Sequence, residues 1–274
     1  MTAVPTRRER QRQATFDEIV EVSRTLLRDG QDVSIRAVAQ EMGLTPPALY
    51  RYVDSHAELL TLVARSIFED VVAAMTVARD DQAPDDPSAQ VVAASAAFRA
   101  WALRNRPEFQ MVFASSASIA MDEAARSRGD APTASFGDCL PDDSGVALFA
   151  SFFSEIFGRL WVKYQFPIPG DDDLDPALLE ILRTEVKPPE VTDGLGTPSP
   201  GMVWMFERAW ARLYGTVTLE VFGHVHPAMI STGALFTATM LDIGADLTIS
   251  DEWPRLAAVA RAEAERHPQT PLPG

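Results

Sequence analysis

The chain has 274 residues, 46% of them hydrophobic, and a formal net charge of −15, enough apolar material for a small head and a body of up to about 200 residues, so two domains are expected. One cysteine, Cys139, excludes an internal disulfide, fits a reducing cytoplasm and reads as a plain core or loop residue. No apolar run resembling an export signal follows the first arginines, and no uninterrupted apolar span could cross a bilayer. A cytoplasmic protein without a membrane partner is therefore expected.

In chain order, Arg7, Arg8, Arg10 and Arg12 come first, either as an arm for phosphates or the minor groove or as a solvated tail. Phe16, Ile19, Val22, Leu26 and Leu27 then share one helical face, closed by Asp29-Gly30. Ser34 is an N-cap before Ile35, Val38, Ala39 and Met42, which recur at helical spacing. Gly43 can take the left-handed conformation that ends this helix, and Leu44 can plug the corner. Thr45 caps a second short helix whose first turn carries Pro46 and Pro47, where backbone donors lack partners anyway. Leu49 faces inward, leaving Ala48, Tyr50, Arg51 and Tyr52 to point elsewhere. Two short helices on a glycine turn, with aromatic and basic groups left outside, suit insertion into a DNA major groove, although helix pairs of this kind also serve as plain packing units.

Ser55 and Glu58 form a capping box ahead of Leu59-Leu60. The helix they open reads through Leu62, Val63, Ile67, Val71 and Met75 to a stop at Asp80–Pro84. Asp86-Pro87 restart a helix through Val91, Ala94, Phe98 and Trp101, and Pro107 opens another with Phe109, Val112 and Phe113. Residues 127–144 read as a loop, followed by a strongly apolar helix with Phe149, Phe152, Phe153, Ile156, Phe157, Leu160, Trp161 and Tyr164. An acidic stretch at 170–175 leads to a short helix near 176–185 and a proline-rich loop at 186–200. Two long apolar helices, about 202–223 and 228–247, precede an amphipathic piece around Trp253, Leu256 and Val259 and a disordered-looking tail at 267–274. No strand alternation is visible, so the fold class is all-α, with domains at 1–60 and 61–250 and a C-terminal helix and tail at 251–274.

Charge is unevenly spread. Residues 1–56 hold eight arginines and eight acids, so the head is neutral and the body carries the acidic excess. An acidic body would repel a duplex everywhere except at the head.

Residues 10–65, with their caps and glycine stops in unbroken order, resemble the DNA-binding head of the TetR family of bacterial transcriptional regulators. The body resembles the subgroup of that family named for a tryptophan, a histidine and a glycine on a late helix: Trp210 and Gly215 fill two of those places, and Tyr214 stands where the histidine would be. The stretch at 98–113 is similar to the same subgroup's earlier helix pair. The resemblance implies an all-α regulator, probed on double-stranded operator DNA through Arg36 and Thr45 (phosphate or base edge), Pro46, Pro47 and Ala48 (apolar contacts), Tyr50 and Tyr52 (phosphate), Arg51 (guanine or phosphate) and His56, which replaces a common lysine. It also implies a homodimer reading an inverted repeat as a repressor, formed by the last two long helices with Trp210, Leu213, Tyr214, Val217, Leu235 and Met240 as interface candidates. The residue pattern alone also allows a monomer that buries both sides of those helices, although the dimer is favoured. A small apolar effector would sit among Trp101, Phe109, Phe113, Phe153, Phe157, Trp161 and Tyr164, residues that could equally be core.

An enzyme is disfavoured. The four histidines, His56, His224, His226 and His267, make no metal-ligand or triad pattern. Asp171–Asp173 lack the glycine turn and distal glutamate of a calcium loop, and no glycine-rich phosphate loop occurs, so no cofactor and no metal are expected. A helical protein-interaction module that has lost DNA binding is the competing reading from another class.

Overall fold

Thr6 opens the first helix, α1 (Arg7–Arg28), through a capping box: its hydroxyl accepts the Glu9 amide at 3.3 Å and the Glu9 carboxylate accepts the Thr6 amide at 2.6 Å. Arg7, Arg8, Arg10 and Arg12 therefore belong to a helix, not to an arm or a tail. The Thr6-x-x-Glu9 pattern was the readable signal. The structure, a computed structural model, describes residues 6–114, 145–184 and 198–266. Cys139, the 127–144 loop, most of the 186–200 loop and the 267–274 tail lie outside the described residues. Regular structure among those described is helical, with no strand.

The chain divides into two compact units, Met1–Phe68 with Pro107–Ala131 and Glu69–Arg106 with Pro132–Gly274. In the first, Ser34 caps α2 (Ile35–Glu41) by accepting the Ala37 amide at 3.2 Å. Gly43 adopts φ +66°, so the Leu44 amide reaches back to the Ala39 carbonyl at 2.8 Å and the chain turns sharply into α3 (Pro46–Leu49). Ser55 accepts the Glu58 amide at 3.1 Å at the head of α4 (His56–Asp80), but the Glu58 carboxylate takes the amide of Asp54 instead of closing the box on Ser55. The core of this unit gathers Ile19, Leu26, Ile35, Val38, Leu49, Val53, Leu59 and Val63. The 60/61 boundary read from the sequence falls inside α4 and within this unit.

The second unit is built around α5 (Pro87–Arg104), capped by Asp86 and buried along nearly its whole length. Ala93, Ala94, Ala96, Ala97, Ala100 and Ala102 make it slim enough for neighbours to approach from several sides. After α6 (Arg106–Phe113), the helices α7 (Gly145–Tyr164), α8 (Pro176–Thr184), α9 (Pro200–Val221), α10 (Pro227–Thr232), α11 (Ala234–Asp246) and α12 (Trp253–Arg266) follow, and α5 packs on α12, α7 and α9. The expected helix at 228–247 is two helices. Gly233, at φ +66°, breaks it, and the Arg99 guanidinium lies 3.6 Å from where a Cβ would stand.

Candidate functional site

The exposed end of the first unit is set by burial alternating along residues 45–53. Leu49 and Val53 are fully buried and pin the segment, while Thr45, Pro46, Pro47, Tyr50 and Arg51 are exposed and Ala48 is half-exposed. The Thr45 hydroxyl makes no cap bond to its helix. Tyr50 is 50% exposed, unusual for so large a ring. Arg36, at the start of α2, is exposed as well. Together these exposed residues offer two guanidinium groups, a hydroxyl, a phenol and a pair of proline rings, a set able to meet phosphates, base edges and thymine methyls.

Tyr52 and His56 are placed differently. The Tyr52 ring is half-buried and packs edge-on against Phe16, with centroids 5.8 Å apart and planes at 87°, so it braces α1 against the reading segment. His56 is exposed, but its Nε2 lies 2.7 Å from the Val33 carbonyl oxygen, which can only accept. The ring therefore carries its proton on Nε2, and only a doubly protonated imidazole could also donate from Nδ1.

The same unit contains an ionic knot that the sequence did not signal. Glu108 on α6 is fully buried; its Oε1 accepts Arg24 Nε at 2.7 Å and Arg28 Nε at 3.2 Å. Among the described residues Glu108 Oε2 has no hydrogen-bond partner. Phe109 and Phe113 flank the knot, stacked at 4.8 Å, with Phe68 edge-on to Phe113 at 5.2 Å. An acid next to Pro107 reads as surface, and nothing local reveals that α6 packs with the head.

The aromatic residues put forward for an effector are divided between the two units. Phe153 and Phe157 line an apolar cavity with Phe206, Trp210, Leu213 and Met240, but it holds only about 50 Å³, against the roughly 300–1,000 Å³ of a usual ligand pocket. Phe109 and Phe113 belong to the first unit's core. Trp101 is buried with its Nε1 donating to Asp70 at 3.1 Å, and Trp161 is half-exposed. The Tyr164 hydroxyl donates to Glu252 Oε1 at 2.7 Å and lies 2.8 Å from Ser88. Its neighbours Asp86 and Glu252 share Arg255, so Tyr164 serves a polar staple. Burial raises the Tyr164 pKa.

Three of the six interface candidates face inward. Leu213, Val217 and Met240 are buried inside their own chain, and Trp210 is the hub of an aromatic cluster with Phe149 at 5.3 Å, Phe153 at 5.8 Å and Phe98 at 6.0 Å. Tyr214 stacks on Trp210 at 5.4 Å and burial raises its pKa, while Leu235 is half-exposed. The outward apolar stripe on α9 is instead Ala211, Gly215, Leu219 and Phe222, and on α11 Ala234, Ala238, Leu241 and Ala245. Their spacing of three and four was legible. What was not legible is which of two apolar faces the chain itself covers.

A glycine-cornered helix pair with an exposed reading segment, joined to a larger helical unit, defines a DNA-binding transcriptional regulator. The family described as "Tetracyclin repressor-like, C-terminal domain" matches residues 91–243, more than half of the chain, and the chain belongs to this tetracycline-repressor-like, or TetR, family. Similar proteins include the HTH-type transcriptional regulators Rv1816 of Mycobacterium tuberculosis and Mb1846 of Mycobacterium bovis, each 28% identical over 237 residues, spanning 81% of this chain and 87% of the relative. The crystal structure of the regulatory protein SCO4313 shares the fold, with a TM-score of 0.57 at 22% identity over 87% of this chain and 98% of that one. Both family and relatives are regulators, not enzymes. Among the described residues no helix is long and apolar enough to cross a membrane.

Proposed function

We propose that the protein is a cytoplasmic repressor that binds an inverted-repeat operator as a homodimer and releases it on binding a small effector in the second unit. The observation that carries DNA reading is the alternation at 45–53: a segment pinned by Leu49 and Val53 offers Thr45, Tyr50 and Arg51 outward, with Arg36 beside it. Thr45, Tyr50, Arg51 and Arg36 are exposed, so the core of the unit is complete without their side chains.

The homodimer is supported by the outward stripes of α9 and α11. Leu219 is 42% exposed, Phe222 37% and Leu241 37%, while the alanines and Gly215 between them let a second pair of helices come close. Within one chain α9 and α11 are already joined by Thr216 to Thr239 at 2.9 Å and by Asp246 to Arg208 and Arg212 at 3.0 and 2.5 Å, so they can present one rigid surface. A two-fold dimer places two reading segments on successive major grooves, which explains how so small a head achieves specificity.

The test is selection of bound duplexes from a random library with the purified full chain. The expected product is an inverted repeat whose half-sites are centred about one helical turn, or a multiple of it, apart. Recovery of no duplex, or of direct sites without two-fold symmetry, refutes the proposal.

A further inference from the structure

The second unit holds a groove of about 940 Å³ between α5, α10, the start of α11 and α12, within the size range of ligand pockets. Its apolar wall includes Ala96, Leu103, Ile230, Phe236 and Ala260. Three arginines, Arg99, Arg106 and Arg261, line the same groove, with Glu265 as the one acid among the lining residues. A basic lining is unexpected on a chain of net charge −15.

The three guanidinium groups are not equivalent. Arg99 is committed, its Nε donating to the buried Glu220 at 2.5 Å and its Nη2 to the Ile230 carbonyl at 2.6 Å. Among the described residues Arg106 donates only to main-chain carbonyls, those of Leu103 at 3.2 Å and of Val221. Burial pushes its pKa down, the more distant Glu220 only partly opposing this. Arg261 is exposed at the rim and takes part in no ion pair among the described residues. A partly desolvated guanidinium held by two carbonyls, with a second one lining the same groove, suits a carboxylate. The apolar wall suits a hydrocarbon chain.

We propose that this groove binds a small aliphatic carboxylate, with the carboxylate on Arg106 and Arg261 and the chain on Leu103, Ile230 and Phe236, and that this ligand is the effector. The effector role rests on the repressor reading above; the binding site does not. Arg106 is the first residue of α6, and Glu108 on the same helix holds Arg24 and Arg28 of the head. A ligand that pulls on Arg106 thus acts on the helix to which the head is tied, and its preference for one setting of that helix sets how far DNA binding shifts.

Titration calorimetry on the full chain without DNA tests the site, using octanoate, octan-1-ol and octylammonium as probes matched in chain length. Octanoate is expected to bind, octan-1-ol on the order of ten-fold more weakly, and octylammonium not at all. Arg261→Gln, at an exposed position, is expected to weaken octanoate by roughly ten-fold, and Arg106→Gln by at least as much. Arg261→Gln keeps the test sound if Arg106→Gln fails to fold. Octylammonium binding as well as octanoate, no octanoate binding at millimolar concentration, or an affinity unchanged in Arg261→Gln overturns the site. A gel shift with the selected duplex tests the coupling: octanoate should release wild type at a concentration that leaves Arg261→Gln bound. Binding through the arginines without release overturns the effector role, whereas failure to retain any duplex overturns the repressor reading and leaves the calorimetric result standing.

Discussion

Replacing Glu108 by glutamine removes one charge from the ionic knot of the first unit while keeping its shape. Glu108 is 0% exposed, Arg24 12% and Arg28 42%, so the two ion pairs should differ in weight. The Arg24 bond, 2.7 Å long and mostly shielded, is a charge-assisted contact worth about 1.5–3 kcal/mol. The Arg28 bond, 3.2 Å long and open to water on one side, should be worth at most about 1 kcal/mol. Glu108→Gln should therefore cost roughly 2–4 kcal/mol, near the lower part of the range for breaking a buried pair, because Arg24 keeps its contact to Ser66 at 3.3 Å. Urea unfolding followed by circular dichroism measures this, and a double-mutant cycle should give a larger coupling for Arg24 with Glu108 than for Arg28 with Glu108. A loss below about 0.5 kcal/mol, or the opposite order of couplings, would refute the reasoning.

Gly43→Ala should destabilise by about 1–2 kcal/mol in thermal or urea unfolding: at φ +66° a side chain is strained although open space surrounds the Cβ position. Burial raises the Glu220 pKa against the opposing pull of Arg99, so this group's stabilisation is complete below the unfolded carboxyl pKa and is lost as pH rises through the folded value. Glu220→Gln stays neutral at every pH and should therefore remove that decline from the stability-against-pH curve, while an unchanged curve would contradict it. Leu219→Glu, in the middle of the α9 stripe, should convert the proposed dimer to monomer in light scattering with little change in helix content, and a persistent dimer would place the interface elsewhere.

Much of the head was legible because its signals are local. Ser34, Gly43, the two prolines and Ser55 each act on the backbone within a few residues, and the structure realises them nearly as the sequence dictates. Thr6 and Glu9 were equally local but lay among arginines whose charge suggested a tail. The body was legible as helices and not as surfaces. α5 is apolar all round, and α9 has two apolar faces, so periodicity could not say that Leu213 and Val217 face inward while Leu219 and Phe222 face out. Gly233 gave the break between α10 and α11 a visible cause that helix-long apolarity masked. Glu108, Glu220, Arg99 and Arg106 are polar residues whose burial depends on partners up to 131 positions away, and no local pattern encodes such pairs.

The claim on which all of this depends is that the α3 segment reads a duplex. Affinity for the selected operator should be measured for the combined Tyr50→Ala and Arg51→Ala variant against wild type across salt concentrations, with the fold checked by circular dichroism. Loss of about 1–3 kcal/mol or more, with weakened preference for the selected sequence, is the expected result. Operator binding equal to wild type in a folded variant would contradict the account.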